Sequence, residues 1–405
     1  MQPRTNESQQ ILFDAIVIGS GAIGISTAYH LAKEKIKVAI IEKESGPAMH
    51  QSGRNSGVIH AGYNLKPGSL KAQYCVKGNQ ELREYCQEKG VPIKEDGILI
   101  IAQTESDTTV INELEKRGIA NKTPVKILGQ DEIKYVEPRV RGIQALQAIN
   151  GASIDSYSYV KSLANDTSSL GAKIFYNNKV LSIKEQGNIV TTKTEKGIFL
   201  SKVVINAAGL YADELADDIA DDIRIIPFRG YYAELIPQLT HMVNSHVYAT
   251  PDLNFPFLGI HLSKRTDGRV IVGPGAMLAF GREAYTFGSF KGGRLSKTLG
   301  WPGFYKMMAR PEFQKLLQQE IKKSILIKAI AKEAIQLIPE LTENSFIRSY
   351  AGNRAQLVDR NGNLIDDILV RETSQSIHVL NAVSPGLTCS LPFGRYLAHQ
   401  AINKL

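Results

Sequence analysis

Apolar and polar positions follow three different patterns along this chain of 405 residues, and each predicts a different element. Phe13 to Ile18 carries the unbroken apolar run Ala15-Ile16-Val17-Ile18, which predicts a strand buried on both faces. A helix then runs to about Lys35, with Ile23, Ala28, Leu31 and Ala32 on its packed face. Lys37 to Ile41 is a second strand, and Glu42 ends it. Helical spacing returns over 69–89, 107–119, 130–137 and from Ser156 to Leu170, where Gly171 stops it. Strand-like runs occupy 173–184, 188–194 and 197–200, and Val203-Val204-Ile205-Asn206-Ala207-Ala208 is another buried strand running into Gly209. Residues 226–275 are β-type with Pro and Gly punctuation, and 303–336 are strongly helical. The chain closes with a strand at Ile377 to Asn381, a loop at Ser384-Pro385-Gly386 and a helix from about Phe393.

The first strand and helix are joined by Gly19-Ser20-Gly21-Ala22-Ile23-Gly24. Alone, a GxGxxG is a weak signal. Here it follows an apolar strand, opens a helix and is answered by an acid at the end of the next strand. Gly19 permits the tight turn, Gly21 lets backbone approach a pyrophosphate, and Gly24 lets helix and strand pack closely. The helix amino terminus offers free N–H groups to phosphate, and Glu42 is placed for a ribose diol. The competing reading is a tight turn in an unrelated α/β protein. It does not account for Glu42.

The turn does not choose between nicotinamide and flavin, but the order of elements does. The chain leaves the nucleotide fold and returns to it at 203–209 and near 377–400. A late strand, the loop Ser384-Pro385-Gly386-Leu387-Thr388 and a helix suit a flavin ring held at a helix amino terminus.

Several stretches carry a specific likeness. They are His50-Gln51-Ser52-Gly53-Arg54-Asn55-Ser56-Gly57-Val58-Ile59-His60-Ala61-Gly62, Lys66-Pro67-Gly68-Ser69-Leu70-Lys71-Ala72 and Ile226-Pro227-Phe228-Arg229-Gly230-Tyr231-Tyr232. Further on come Phe255-Pro256-Phe257-Leu258-Gly259-Ile260-His261, Gly273-Pro274-Gly275-Ala276, Ala351-Gly352-Asn353-Arg354-Ala355-Gln356 and Leu380-Asn381-Ala382-Val383-Ser384-Pro385. With the glycine turn and the Ala207-Ala208-Gly209 return, the chain resembles the D-amino-acid oxidase-type flavoproteins. Within them it is most similar to the L-2-hydroxyglutarate dehydrogenase/oxidase family. It departs from that pattern at Arg54, where the family suggests His, and at Gly386-Leu387-Thr388-Cys389, where it suggests an Ala/Ser-rich run.

The resemblance implies an α/β fold: a Rossmann-like, glutathione-reductase-type FAD domain with an inserted α+β substrate domain on a mixed antiparallel sheet. The expected FAD-binding domain is discontinuous (1–72, 150–225 and 345–405), and the substrate domain takes 73–149 and 226–344. The expected cofactor is non-covalent FAD. Its expected contacts are Gly19, Gly21, Ala22, Ile23, Gly24, Glu42, Lys43, Ser52, Arg54, Asn55, Ser56, Gly57, Val180, Ala208, Gly209, Ser384, Pro385, Gly386, Leu387 and Thr388. The implied reaction oxidises a 2-hydroxy dicarboxylate to a 2-oxo dicarboxylate. Superfamily alternatives are an amine or amino-acid oxidase and a glycerol-3-phosphate dehydrogenase. An RNA-modifying flavoprotein is the alternative from another class.

Such a reaction needs a base near neutral pH, for which His is the first choice. His60, next to the small-residue flavin loop, and His261, in the covering domain, are the candidates. Both have a bland reading as hydrogen-bonding or core histidines. Two carboxylates call for cations, with Arg preferred for bidentate contact. Arg354 is the first choice and Lys71 the second, with Arg229 and Tyr232 weaker; a strand arginine is often only an ion-pair partner.

Composition changes this picture little. Hydrophobic residues make up 43% and charged residues 22%, as in a globular enzyme. Cys75, Cys86 and Cys389 have neither disulfide parity nor metal spacing, and no metal site is expected. The polar start MQPRTNESQQ lacks a secretory apolar stretch, so a cytoplasmic location is expected. The net charge is +8, and the segment from Arg282 to Lys332, with eleven Lys or Arg against three Glu, matches that excess. Within it Phe313, Leu316, Leu317, Ile321, Leu326 and Ile330 alternate with Lys315, Lys322, Lys323 and Lys328. The bland reading is an amphipathic helix with a solvated basic face. The sharper one is a peripheral contact of 303–336 with the inner membrane face, bringing a quinone or electron-transfer partner to the flavin. No nucleic-acid partner is expected. The electron acceptor (oxygen, quinone or protein) is left open.

Overall fold

The computed structural model describes residues 11–253, 259–286, 298–311, 313–314 and 327–405. The run Phe255-Pro256-Phe257-Leu258 and Lys291, Arg294, Lys297, Lys315, Lys322 and Lys323 lie outside them. Two sheets carry the architecture. The first has eight strands. Its centre is Leu12–Ile18, flanked in parallel by Val38–Ile41 and by Gly197–Asn206. Lys173–Phe175 extends it in parallel beyond Val38–Ile41, and Ser376–Asn381 adds in parallel beyond Gly197–Asn206. The central strands are apolar because both faces are covered. The helices Ala22–Lys33, Ser156–Ser169 and Ser390–Ile402 share one core with this sheet.

Two strand expectations change in detail. The runs at 197–200 and 203–206 are one strand, Gly197–Asn206. Its outer half pairs antiparallel with Ile189–Thr194, and most of its length runs parallel to Leu12–Ile18. Conversely, 173–184 is broken between Lys173–Phe175 and Val180–Gln186. Asn177 sits there at φ 51, a left-handed conformation that Asn tolerates. The Asn177 and Asn178 N–H groups donate to Glu44 and Glu42 carbonyls, so the break is fastened to the end of the second strand.

The second sheet has nine strands, and its spine is the pairing of Ile223–Leu235 with Phe346–Asp359 and Val270–Leu278. His261–Lys264, His246–Ala249 and Ile98–Ala102 follow across it. Phe346–Asp359 was expected in the flavin-binding part of the chain. It pairs instead along the length of Ile223–Leu235, where Leu357 shares an apolar cluster with Ile225 and Val358 one with Ile226. A small third sheet joins Val58–Ile59, Ala152–Ile154 and Ile93–Lys94.

The expected basic helical segment is described at both ends, as Pro302–Met308 and Ile327–Leu337. Phe313 and Ile330 are buried there, in separate apolar clusters with Phe228 and Trp301 and with Leu337 and Val243. These two members of the apolar stripe thus face the protein. Among the described residues no helix is long and apolar enough to cross a membrane.

Candidate active site

The turn after the first strand is built by exclusion. A Cβ on Gly24 would lie 2.0 Å from the Gly19 carbonyl oxygen, and one on Gly19 would lie 2.6 Å from the Ala207 carbonyl oxygen. Gly19 also has φ +100, which only glycine adopts without strain. The helix Ala22–Lys33 therefore starts hard against both central strands. The N–H of Ala22 donates to Ser52 Oγ at 2.9 Å, which ties the loop 48–57 to the helix start. Glu42 is nearly buried; its carboxylate accepts from Ser20 N (2.7 Å), Ser20 Oγ (2.8 Å) and Glu44 N (2.9 Å).

A cavity of about 1970 Å³ opens beside this turn. It is about twice the upper end of the ~300–1,000 Å³ range usual for small-molecule sites, large enough for an extended dinucleotide and a substrate together. From the nucleotide fold it is lined by Gly19, Gly21, Ala22, Ile23 and Gly24, and by Glu42, Lys43, Val180, Ala208 and Gly209. Ser52, Arg54, Asn55 and Ser56 follow, and Ser384, Pro385, Gly386 and Leu387 close it near the last helix. These groups fit FAD: N–H groups at a helix start for pyrophosphate, an acid for the ribose, and a second helix start for the ring.

Three expected contacts are placed elsewhere. Gly57 does not line the cavity; at φ +73 it bends the chain into the small sheet, and its carbonyl accepts from Ile154 N at 2.8 Å. Thr388 is buried behind the wall, where its Oγ1 accepts from the His60 N–H at 3.0 Å. Arg229 points away from the cavity and donates to the Ala284 and Thr286 carbonyls. Its neighbours Phe228, Gly230 and Tyr232 line the cavity instead, as strand alternation requires. Lys43 lines the wall, but its ammonium is held by Glu44, by Glu283 (2.5 Å) and by His50 (2.8 Å). Arg54 lies over the Tyr285 ring, 4.3 Å from its centre.

His60, His261, Lys71, Arg354 and Tyr232 line the same cavity. Burial pushes the His60 imidazole down to about 4 and His261 to about 3, so both are neutral at pH 7. His60 Nε2 is 3.5 Å from Ser384 Oγ. His261 Nδ1 is 3.4 Å from the Gly259 carbonyl, which leaves Nε2 as its acceptor. Lys71 is almost fully buried, and its ammonium donates to Asp366 Oδ1 at 2.9 Å. Burial lowers the Lys71 pKa, Asp366 opposes that, and Arg354 lowers it further. Desolvation brings Arg354 down to about 10, with Asp366 opposing. Arg354 therefore remains charged at neutral pH, and Lys71 is buried against an Asp366 that is itself exposed.

Asp366 and Asp367 were not foreseen. Asp367 accepts from Leu70 N (3.1 Å) and Lys71 N (2.9 Å), so it caps the helix Leu70–Lys89 that carries Lys71. The signal was two adjacent acids far from any helix start of their own.

The chain matches the family model described as FAD dependent oxidoreductase over residues 14–400. It is 37% identical to the L-2-hydroxyglutarate dehydrogenase of Indibacter alkaliphilus, over 97% of this chain and 99% of that one. It is 34% identical to the L-2-hydroxyglutarate dehydrogenase of Escherichia coli, over 95% and 92% of the two chains. Among solved structures, L-alpha-glycerophosphate oxidase from Mycoplasma pneumoniae with FAD bound superposes with a TM-score of 0.77 at 26% identity, over 98% and 95% of the chains. Glycine oxidase from Geobacillus kaustophilus gives 0.73 at 17%, over 97% and 95%, a likeness of fold.

The buried imidazoles set a pH dependence of stability. His30, His60 and His378 are held near 4, and His246 and His261 near 3, by desolvation. Unfolded, each would titrate near ~6.5. Below that pH the unfolded chain binds protons that the folded chain refuses, so stability falls as pH drops from ~6.5 towards 4. The melting temperature should fall between pH 7 and pH 5; a level or rising one contradicts this reading. From this turn, this cavity and these matches, the chain belongs to the family of FAD-dependent oxidoreductases.

Proposed function

We propose that the protein oxidises L-2-hydroxyglutarate to 2-oxoglutarate. The observation that carries this is one cavity lined both by two imidazoles that desolvation keeps neutral, His60 and His261, and by two cations, the buried Lys71 and the partly buried Arg354. The names of the full-length relatives favour the same substrate. Bound FAD supplies the hydride acceptor at its N5 position.

The protein's own groups account for the rest. Arg354 takes a substrate carboxylate with a bidentate fork, and Lys71 adds a point charge held in place by Asp366. A dianion is thereby drawn from water into a site that holds a zwitterionic or cationic amino acid less strongly. His60 accepts the C2 hydroxyl proton, since a neutral imidazole is the form that acts as a base. Thr388, through the His60 N–H, and Asn79, donating to the His60 carbonyl at 3.1 Å, fix the loop that carries it. His261 adds its neutral ring to the cavity lining. Tyr232 packs its ring 4.9 Å from Tyr350 and closes the wall against water.

Of the basic residues that suggested a membrane contact of 303–336, Lys315, Lys322 and Lys323 lie outside the described residues.

His60→Ala should lower kcat by about 10²–10⁴ with FAD content unchanged. Near-native turnover removes His60 as the base. Arg354→Lys should raise KM for the dicarboxylate roughly tenfold, equivalent to about 1.4 kcal/mol of lost binding, with a smaller change in kcat. An unchanged KM removes Arg354 from the carboxylate site.

A further inference from the structure

Behind the cavity wall lies a block of buried polar groups that the proposed reaction has not used. In the nine-stranded sheet His246 stands opposite Ser263, and Tyr248 stands opposite His261. Directly opposed residues share a sheet face, as do residues two apart on one strand. His246, Tyr248, His261 and Ser263 therefore form a two-by-two block on one face. All four are buried. The Tyr248 and His261 rings lie 4.2 Å apart. Of the four, only His261 reaches the cavity.

The block is short of hydrogen bonds. Both ring nitrogens of His246, the Tyr248 hydroxyl, His261 Nε2 and Ser263 Oγ have no partner in bonding geometry. Ser263 faces the Tyr248 hydroxyl and the Ala152 backbone faces the His246 ring, without closing a well-formed bond. Five unpaired polar atoms in one dry place are costly, and such sets are normally satisfied by ordered water. The titratable groups acting on His246 are His60 from the cavity loop and Lys94 from the small sheet, with Tyr248 and His261 beside it on its own sheet face. Lys94 is partly exposed, donates to the Asn244 carbonyl and pairs with Asp96 at 2.8 Å. The block thus stands between the cavity histidines and the partly exposed Lys94, whose partner Asp96 is mostly covered.

We propose that His246, with Tyr248 and Ser263, forms the proton exit of the active site. This rests on the oxidation proposed above. In that reaction the C2–H bond breaks with its electron pair leaving as hydride to the flavin, and the C2–O bond becomes a carbonyl. The hydroxyl proton goes to an imidazole of the cavity, which must be neutral again before the next turnover. His246 passes that proton on, accepting at one ring nitrogen and releasing at the other, through water held by Tyr248 and Ser263, to solvent at Lys94 and Asp96. A low imidazole pKa suits transit, because the ring does not retain the proton. His246 is a positioning residue in this scheme, since it touches neither substrate nor cofactor.

The test compares the native FAD-loaded chain, His246→Gln and Ser263→Ala in steady-state turnover of L-2-hydroxyglutarate with a reducible dye as electron acceptor, with a single anaerobic flavin reduction of each as control. In His246→Gln, steady-state turnover should slow roughly tenfold or more, at the low end of acid–base effects, with KM and the single flavin reduction unchanged. The solvent deuterium isotope effect should rise above the native value, and added imidazole should restore the rate in a concentration-dependent way. Ser263→Ala should show the same isotope effect in weaker form, and it decides the matter if His246→Gln does not fold. A folded variant with native rate and isotope effect overturns the exit, as does a slow variant that neither responds to deuterium nor is rescued by imidazole. If the native enzyme is not reduced by L-2-hydroxyglutarate at all, the substrate reading fails first and the exit falls with it.

Discussion

The structure depends on a place where no side chain fits. Gly19 and Gly24 bring the first helix against the carbonyls of its own turn and of Ala207, closer than any Cβ would allow. That contact joins three elements distant in sequence: Leu12–Ile18, the helix Ala22–Lys33 and the return strand Gly197–Asn206. Because they meet so tightly, the helix start, Glu42 and the loop around Ser52 converge on one groove. The chain is free to leave between these elements and build a second sheet over the groove. A bulkier residue at Gly24 would part helix from strand and spread the phosphate-facing N–H groups.

Chemistry at the other end of the cavity depends on desolvation. Burial is the first cause lowering the pKa of His60, His261, Lys71 and Arg354 alike. For the imidazoles it guarantees the neutral, proton-accepting form. For the two cations it strengthens the attraction to a carboxylate that arrives with its own charge. Asp366, 2.9 Å from the Lys71 ammonium, opposes the effect of burial on it. In the proposed reaction the same dryness would strand the proton removed from substrate, and the proposed exit through the polar groups behind His261 answers that.

Much of the fold was legible because its signals are local. The apolar strand, the glycine turn, Glu42 and the Ala207-Ala208-Gly209 return need only a few neighbouring residues to be read. The likeness to a known flavoprotein family pointed to His60, His261, Lys71 and Arg354, and all four line the cavity. What escaped is set by register between distant strands. Arg229 and Tyr232 differ by three positions and so face opposite ways, but no sequence period says which faces the cavity. Phe346–Asp359 joined the other sheet for the same reason. Asp366 and Asp367 serve a helix nearly 300 positions earlier, and His246 is significant only because it stands beside Tyr248 and opposite Ser263.

The most direct measurement is anaerobic mixing of the purified yellow protein with L- and D-2-hydroxyglutarate, glycerol-3-phosphate and a panel of amino acids, following the visible flavin band. The account predicts bleaching by L-2-hydroxyglutarate and by none of the others. Bleaching by an amino acid or by glycerol-3-phosphate in its place, or a protein that binds no FAD on reconstitution, contradicts it.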